Sequence, residues 1–260
     1  MNEHPDGQPL LQIGGDGVAT ITLLRPQHLN RLHREDLLQL QAHFATLRAS
    51  RSVRALVLTG SGRAFCAGFH LGELEQGAAS AQHDPQLFEH TVDALEALPV
   101  PSVARLNGSV YGGATDLALA CDFRIGVADM DLRMPAARLG LHYYPSGLQR
   151  YVTRLGLGAA KRLFLLAEAI DAPTLRQIGY LDELVAAEAL DTTVSRYVAA
   201  LAANAPLAVS GMKRSLDEIA RGQIDAAALR QRLDTCARST DLREGLAAFA
   251  ARRPPRFTGH

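Results

Sequence analysis

Cysteine is scarce in this 260-residue chain: Cys66, Cys121 and Cys236 are the only three. Widely spaced and odd in number, they form neither a metal-ligand pattern nor a disulfide framework, so a reducing compartment is expected. Charge of one sign is equally absent, because 27 Lys and Arg balance 27 Asp and Glu. That balance argues against a broad nucleic-acid or membrane-surface footprint. No apolar run approaches the roughly 18 residues of a membrane span, and the opening M-N-E-H-P-D-G-Q-P lacks the basic-then-apolar order of a signal peptide. Walker-type and dinucleotide glycine motifs are also missing, which leaves nucleotide hydrolysis and NAD chemistry without support. A soluble cytoplasmic protein with no nucleic-acid or membrane partner is the expectation.

What is present reads as alternating strands and helices. Leu10 to Ile13 and Val18 to Leu24 flank Gly14-Gly15-Asp16-Gly17 and predict a β-hairpin. Leu37, Leu38, Leu40 and Phe44 give helical spacing over about 34–49, and Val53 to Thr59 is a β-branched, apolar strand. The segment 63–71 is rich in small residues and poorly periodic. A polar stretch with Gly77, Ser80 and His83 follows, expected as a mobile loop, before helical spacing returns over 85–98. Short strands are expected at 122–126 and 132–135. Helices are expected at 145–155 and 159–167, separated by Gly156 and Gly158. From about Ala187 the pattern is helical throughout, broken by Pro206 and Gly222, and the last helix carries Leu242, Leu246 and Phe249 on one face. The fold class is therefore α/β with an all-helical C-terminal region.

One stretch organises the rest, from Arg105 to Asp122: R-L-N-G-S-V-Y-G-G-A-T-D-L-A-L-A-C-D. Its front, from Pro101 to Leu106, has the character of a buried strand. Gly108, Gly112 and Gly113 then punctuate a turn, and Thr115 to Cys121 begins an apolar helix. A glycine pair before a helix leaves backbone N–H groups uncovered, with the positive end of the helix dipole behind them. Such a place holds a developing negative charge, and Asp116 follows within the helix.

Three segments together resemble the crotonase, or enoyl-CoA hydratase/isomerase, superfamily. R-A-F-C-A-G-F-H-L (63–71) is similar to that family's first oxyanion-hole loop, and N-G-S-V-Y-G-G-A-T-D-L-A-L-A-C-D (107–122) to its second. D-L-R-E-G-L-A-A-F-A-A-R-R-P-P-R-F (241–257) is similar to its C-terminal helix. Arg25-Pro26 through Asn30 and P-A-A-R-L-G-L (135–141) extend the likeness over nearly the whole chain. The resemblance implies a spiral of β-β-α repeats over residues 1–190 and a helical trimerisation region over 191–260. It also implies a homotrimer or dimer of trimers, and an acyl-coenzyme A thioester as ligand. No separate cofactor and no metal are implied, coenzyme A being part of the substrate. The backbone N–H groups of Phe69 and Gly113 would hold the thioester oxygen. Two preorganised donors in a dry pocket stabilise an enolate, each worth about 3 kcal/mol. Ala67, Gly68, His70, Leu71, Gly112 and His142 would line the substrate site.

The acid–base groups depart from the family's pattern. Hydratase relatives use two glutamates, where this chain has Asp116 and Ala136. Asp116 is one methylene shorter and Ala136 offers no carboxylate. Dienoyl-CoA isomerase relatives also carry Asp at the first position, but this chain has Ala136 and Tyr144 where they keep their other two acids. Methylmalonyl-CoA decarboxylase relatives place a Tyr where Tyr143 stands. Asp116, Tyr143 and Tyr144 are the acid–base candidates, against the simpler readings of a helix-start carboxylate and a pair of pocket-filling rings. Decarboxylase, hydrolase and inactive acyl-CoA-binding readings stay open beside hydration and isomerisation. Asp122 reads as structural, pairing with Arg124 or a neighbouring turn. Arg25, Lys213 and Arg253 are candidates for coenzyme A phosphates, against solvated surface charge.

Overall fold

A computed structural model describes residues 7–73 and 84–260; the loop expected around Gly77, Ser80 and His83 lies outside them. Two sheets form the core. The larger has six strands in the order β1-β2-β3-β5-β7-β10: β1 (Leu10–Ile13), β2 (Val18–Leu23), β3 (Ala55–Gly60), β5 (Ser102–Leu106), β7 (Phe123–Val127) and β10 (Glu183–Val185). Only the β1–β2 hairpin is antiparallel. The smaller runs β4 (Ala64–Cys66), β6 (Ser109–Tyr111), β8 (Asp131–Arg133) and β9 (Ala169–Asp171), with β8–β9 antiparallel. Chain order thus alternates between the sheets, β3 to β4, β5 to β6, β7 to β8, with helices between successive turns.

Sequence pattern explains the layering. Every residue of β3 is buried, as an uninterrupted apolar run in a central parallel strand should be. In β2, Ala19, Ile21 and Leu23 face the core and their neighbours do not. Helix α1 (Arg34–Ala49) buries Leu37, Leu40, Phe44 and Leu47 on one stripe. Helices α2 (Leu87–Glu96), α3 (Ala114–Leu119), α4 (Pro145–Lys161) and α5 (Ala172–Gln177) complete the α/β part. The C-terminal region is α6 (Leu190–Ala202), α7 (Pro206–Ala220), α8 (Ala226–Arg238) and α9 (Thr240–Ala250). Pro206 starts α7 and Gly222, at φ +66°, follows its end.

One expectation changes: Gly108 to Gly113 is not one turn, because Ser109–Tyr111 forms β6 between the glycines. The expected break between two helices is present at Gly156 (φ +80°), inside the range of α4, and the second helix widens into a π-helical turn over Arg162–Leu166. Cys66 and Cys121 are buried, and burial pushes both thiols up to about 12. Neither is a nucleophile at neutral pH.

Candidate active site

Two loops from different sheet layers meet at Gly68. Asn30, in the left-handed conformation (φ 55°) and 1% exposed, donates through Nδ2 to the carbonyls of Ser61, Ala64 and Phe65. That anchor fixes the approach to the first loop. Leu32 N–H then donates to Gly68 O at 2.8 Å and His70 N–H to Leu32 O at 2.9 Å. These bonds use the groups on either side of Phe69, whose own N–H faces the other way and meets no acceptor among the described residues. In the second loop Gly112 (φ +55°) donates to Arg133 O at 2.9 Å, and the chain turns into α3 at Gly113. Gly113 N–H also finds no acceptor among the described residues. A Cβ on Gly68 (φ +88°) would stand 2.7 Å from Tyr111 O and 3.1 Å from Gly113 N, so only glycine lets the loops approach. These two N–H groups, without acceptors among the described residues, are those of the two residues named from sequence.

Asp116 lies within α3, fully buried. Arg150 Nη1 reaches both of its oxygens, at 2.8 and 2.7 Å, and the Tyr144 hydroxyl donates to Oδ2. Burial pushes the Asp116 carboxyl above its ordinary range, with Arg150 pulling it back. Burial alone would lower Arg150, but Asp116 and Glu96 outweigh it and keep the guanidinium charged. Arg150 Nη2 also meets Asp93 at 2.7 Å and Glu96 at 3.0 Å. Glu96 in turn takes Arg154 at 3.2 Å and Arg221. Tyr144 stacks on Tyr143, with centroids 4.3 Å apart, and Tyr143 Oη donates to Tyr144 Oη at 3.4 Å. Burial first, then the Asp116 charge, raises Tyr144 well above an ordinary phenol. Both tyrosines therefore stay protonated at neutral pH.

A cavity of about 660 Å³ opens over this assembly. Ala67, Phe69, Leu71, Gly112, Gly113, His142, Tyr143 and Tyr144 all line it, as expected from sequence. Gly68, His70 and Asp116 are not among the lining residues. Gly68 sits between the loops, His70 stacks on His33, and Asp116 lies behind Tyr144. Ala136 lines the wall and brings no charge. Sequence reasoning missed Arg150, which reads as one more polar residue on a helix. It also missed Phe88, whose ring a Cβ on Gly113 would meet at 2.6 Å. Phe88 lies 6.2 Å from the rings of both Phe69 and Tyr144, giving the cavity an aromatic wall. The Asp122 carboxylate does not pair with Arg124, which reaches only the Asp122 backbone carbonyl, at 3.4 Å. It accepts from Ser102 and from Lys213 Nζ at 2.6 Å, while Arg124 pairs with Asp182. The three cations considered for phosphate each hold a carboxylate: Arg25 with Asp36, Lys213 with Asp122, Arg253 with Glu244.

The family profile described as Enoyl-CoA hydratase/isomerase matches residues 14–260. The chain belongs to the enoyl-CoA hydratase/isomerase family. Among relatives, the Bacillus subtilis (strain 168) protein YngF, whose name carries the same description, is 33% identical over 96% of this chain and 98% of its own. A crotonyl-CoA hydratase of Syntrophomonas wolfei is 29% identical over 92% and 94%. Among solved structures, an enoyl-CoA hydratase from Bacillus anthracis superposes with a TM-score of 0.88 at 28% identity, covering 97% of this chain and 100% of that one. An enoyl-CoA hydratase/carnithine racemase from Magnetospirillum magneticum gives 0.90 at 27%, covering 97% and 96%. The α/β arrangement with C-terminal helices is thus the crotonase fold.

Proposed function

We propose that this family member acts on an acyl-coenzyme A thioester through an enolate, with its oxygen held by the N–H groups of Phe69 and Gly113. Two donors without acceptors among the described residues, both lining one apolar cavity, are what a developing oxyanion needs. The observation that carries the reading further is Tyr144, which lines the cavity while donating to Asp116. Asp116 itself is shut away from the ligand space. A proton therefore passes between the cavity and Asp116 through the Tyr144 hydroxyl. In the inward direction Tyr144 takes a proton from water or from an α-carbon and gives its own to Asp116. In the outward direction the same path protonates the enolate. The raised Asp116 carboxyl suits this exchange, because a buried acid pushed toward neutrality accepts a proton more readily than a solvated one. Tyr144 is the catalytic residue here. Asp116 is its proton partner, and Arg150 is the positioning residue that holds Asp116.

A second reading is favoured by Ala136. With no carboxylate at that wall, the two-acid mechanism of hydration has one member only. Decarboxylation needs the oxyanion donors and a proton source, and no second acid: the α-carboxylate leaves as CO2, its bonding pair forms the enolate, and the Tyr144 path protonates carbon. Turnover on a panel of enoyl-, dienoyl- and malonyl-type thioesters separates the two. Tyr144→Phe is expected to lower kcat at least a hundredfold with KM changed little, as befits a proton-transfer group. Unchanged turnover in Tyr144→Phe removes the relay. Thioester binding without product from any substrate turns the assignment to an inactive acyl-CoA-binding protein.

A further inference from the structure

The loop carrying Phe69 continues through His70 to Glu73, against the start of α1. The His70 and His33 rings face one another with centroids 4.7 Å apart. His33 Nδ1 lies 2.5 Å from Glu73 Oε1, and Glu73 Oε2 accepts the Arg34 backbone N–H at 2.8 Å. One nitrogen of each histidine and one Glu73 oxygen all fall within 4.8 Å of one another. His70 Nδ1 is buried and has no hydrogen-bond partner among the described residues. An unpaired buried nitrogen of this kind asks for an explanation, and an ion is one.

We propose that His33, His70 and Glu73 bind a divalent transition-metal ion, with Zn2+ as the simplest case. Two imidazoles and a carboxylate are a donor set that such ions take, leaving a further position open. The ligand atoms already lie close together, but the two rings stack at 30° and an imidazole lone pair lies in its ring plane, so one ring turns about its Cβ–Cγ bond to bring its nitrogen onto the shared ion. Ligand atoms on one ion stand about 3.4 Å apart, so the His33–Glu73 contact has to open by about 1 Å. The Arg34 N–H already orients the Glu73 carboxylate, as an outer-shell partner does. Arg31 Nε contacts His33 Nε2 at 3.3 Å, and that contact is given up when Nδ1 takes the metal and Nε2 the proton. This loss and the nearby guanidinium weaken the site. The ion would tie the Phe69 loop to α1 at the mouth of the cavity, since Glu73 and Arg34 both line it.

The site is independent of the thioester reading, and its test uses binding alone. Tag-free full-length chain is titrated with Co2+, followed by visible absorption, and with Zn2+, followed by calorimetry. One ion per chain is expected, with the intense d–d bands of four-coordinate Co2+. His70→Ala and Glu73→Gln should each weaken binding at least tenfold, while His90→Ala on exposed α2 surface changes nothing. Circular dichroism checks that the variants fold, and Glu73→Gln carries the test if His70→Ala does not. No one-to-one binding below about 100 μM metal, or binding that survives substitution in a folded variant, overturns the proposal.

Discussion

Arg150 does not line the cavity over the site, yet it sets the terms for residues that do. Its guanidinium faces Asp93, Glu96 and Asp116, with side chain 1% exposed. Breaking such a buried cluster leaves an uncompensated charge and costs about 3–5 kcal/mol. Glu96 is the member whose titration exposes the cluster. Burial alone would raise its carboxyl, but Arg150, Arg154 and Arg221 together hold it below the ordinary range. A carboxylate with a depressed folded-state pKa contributes stability that is intact above its unfolded value, about 4.5, and is lost as pH falls through the depressed value. Thermal melts from pH 7 to pH 3 should therefore show the wild type losing more of its melting temperature below about pH 4.5 than Glu96→Gln does. Parallel losses would place the acid-sensitive group elsewhere. Asp116 has the opposite sign, its carboxyl being raised by burial, so only the difference between the two proteins isolates Glu96.

At the level of elements, the proposed oxyanion site rests on how closely two loops pass. Gly68→Ala combines two faults, a left-handed φ of +88° and a Cβ 2.7 Å from Tyr111 O. Strain of about 1–3 kcal/mol is expected, with the Phe69 and Gly113 donors pushed apart. Activity should fall at least tenfold, while chemical denaturation shows a fold that is weakened but present. The two loops were legible in the sequence because several segments in matching order together resemble one family; a glycine-rich, aperiodic run is common on its own. The hairpin, α1 and the break at Pro206 were legible because period and punctuation agree there. Strand β6 was not, since three residues between glycines carry no period, whereas the helix break at Gly156 was read from the glycine itself. Arg150 and Phe88 escaped for a different reason. An arginine among polar helix residues carries no sign of burial, and Phe88 acquires its place only when α2 packs over Gly113. Asp116 was singled out as a residue, but its shielding by Tyr144 depends on a contact 28 positions away.

Across the whole molecule, α6 buries Leu190, Val194 and Val198 in the core, whereas α7 meets the core through charged and polar groups. Arg221 meets Glu96, Lys213 meets Asp122, and Gln149 Nε2 donates to Arg221 O at 3.0 Å. None of the residues of α7 or α8 is buried. Their apolar side chains point outward instead: Met212 is 59% exposed, Leu216 65%, Leu246 of α9 64% and Phe249 87%. Apolar surface on this scale marks an interface in most soluble proteins, in keeping with the trimer that the resemblance implies. Sedimentation should find an oligomer for the wild type and a shift toward monomer for Phe249→Asp, with the far-ultraviolet spectrum unchanged. A wild-type monomer would mean that these faces serve another partner.

The burial of two thiols has a practical side. With Cys66 and Cys121 shut in the core and pushed up to about 12, only the half-buried Cys236 on α8 remains open to reagents in the native chain. The wild-type sequence thus carries a single attachment point for a thiol-reactive dye, and it lies in the helical region whose packing such a dye would report.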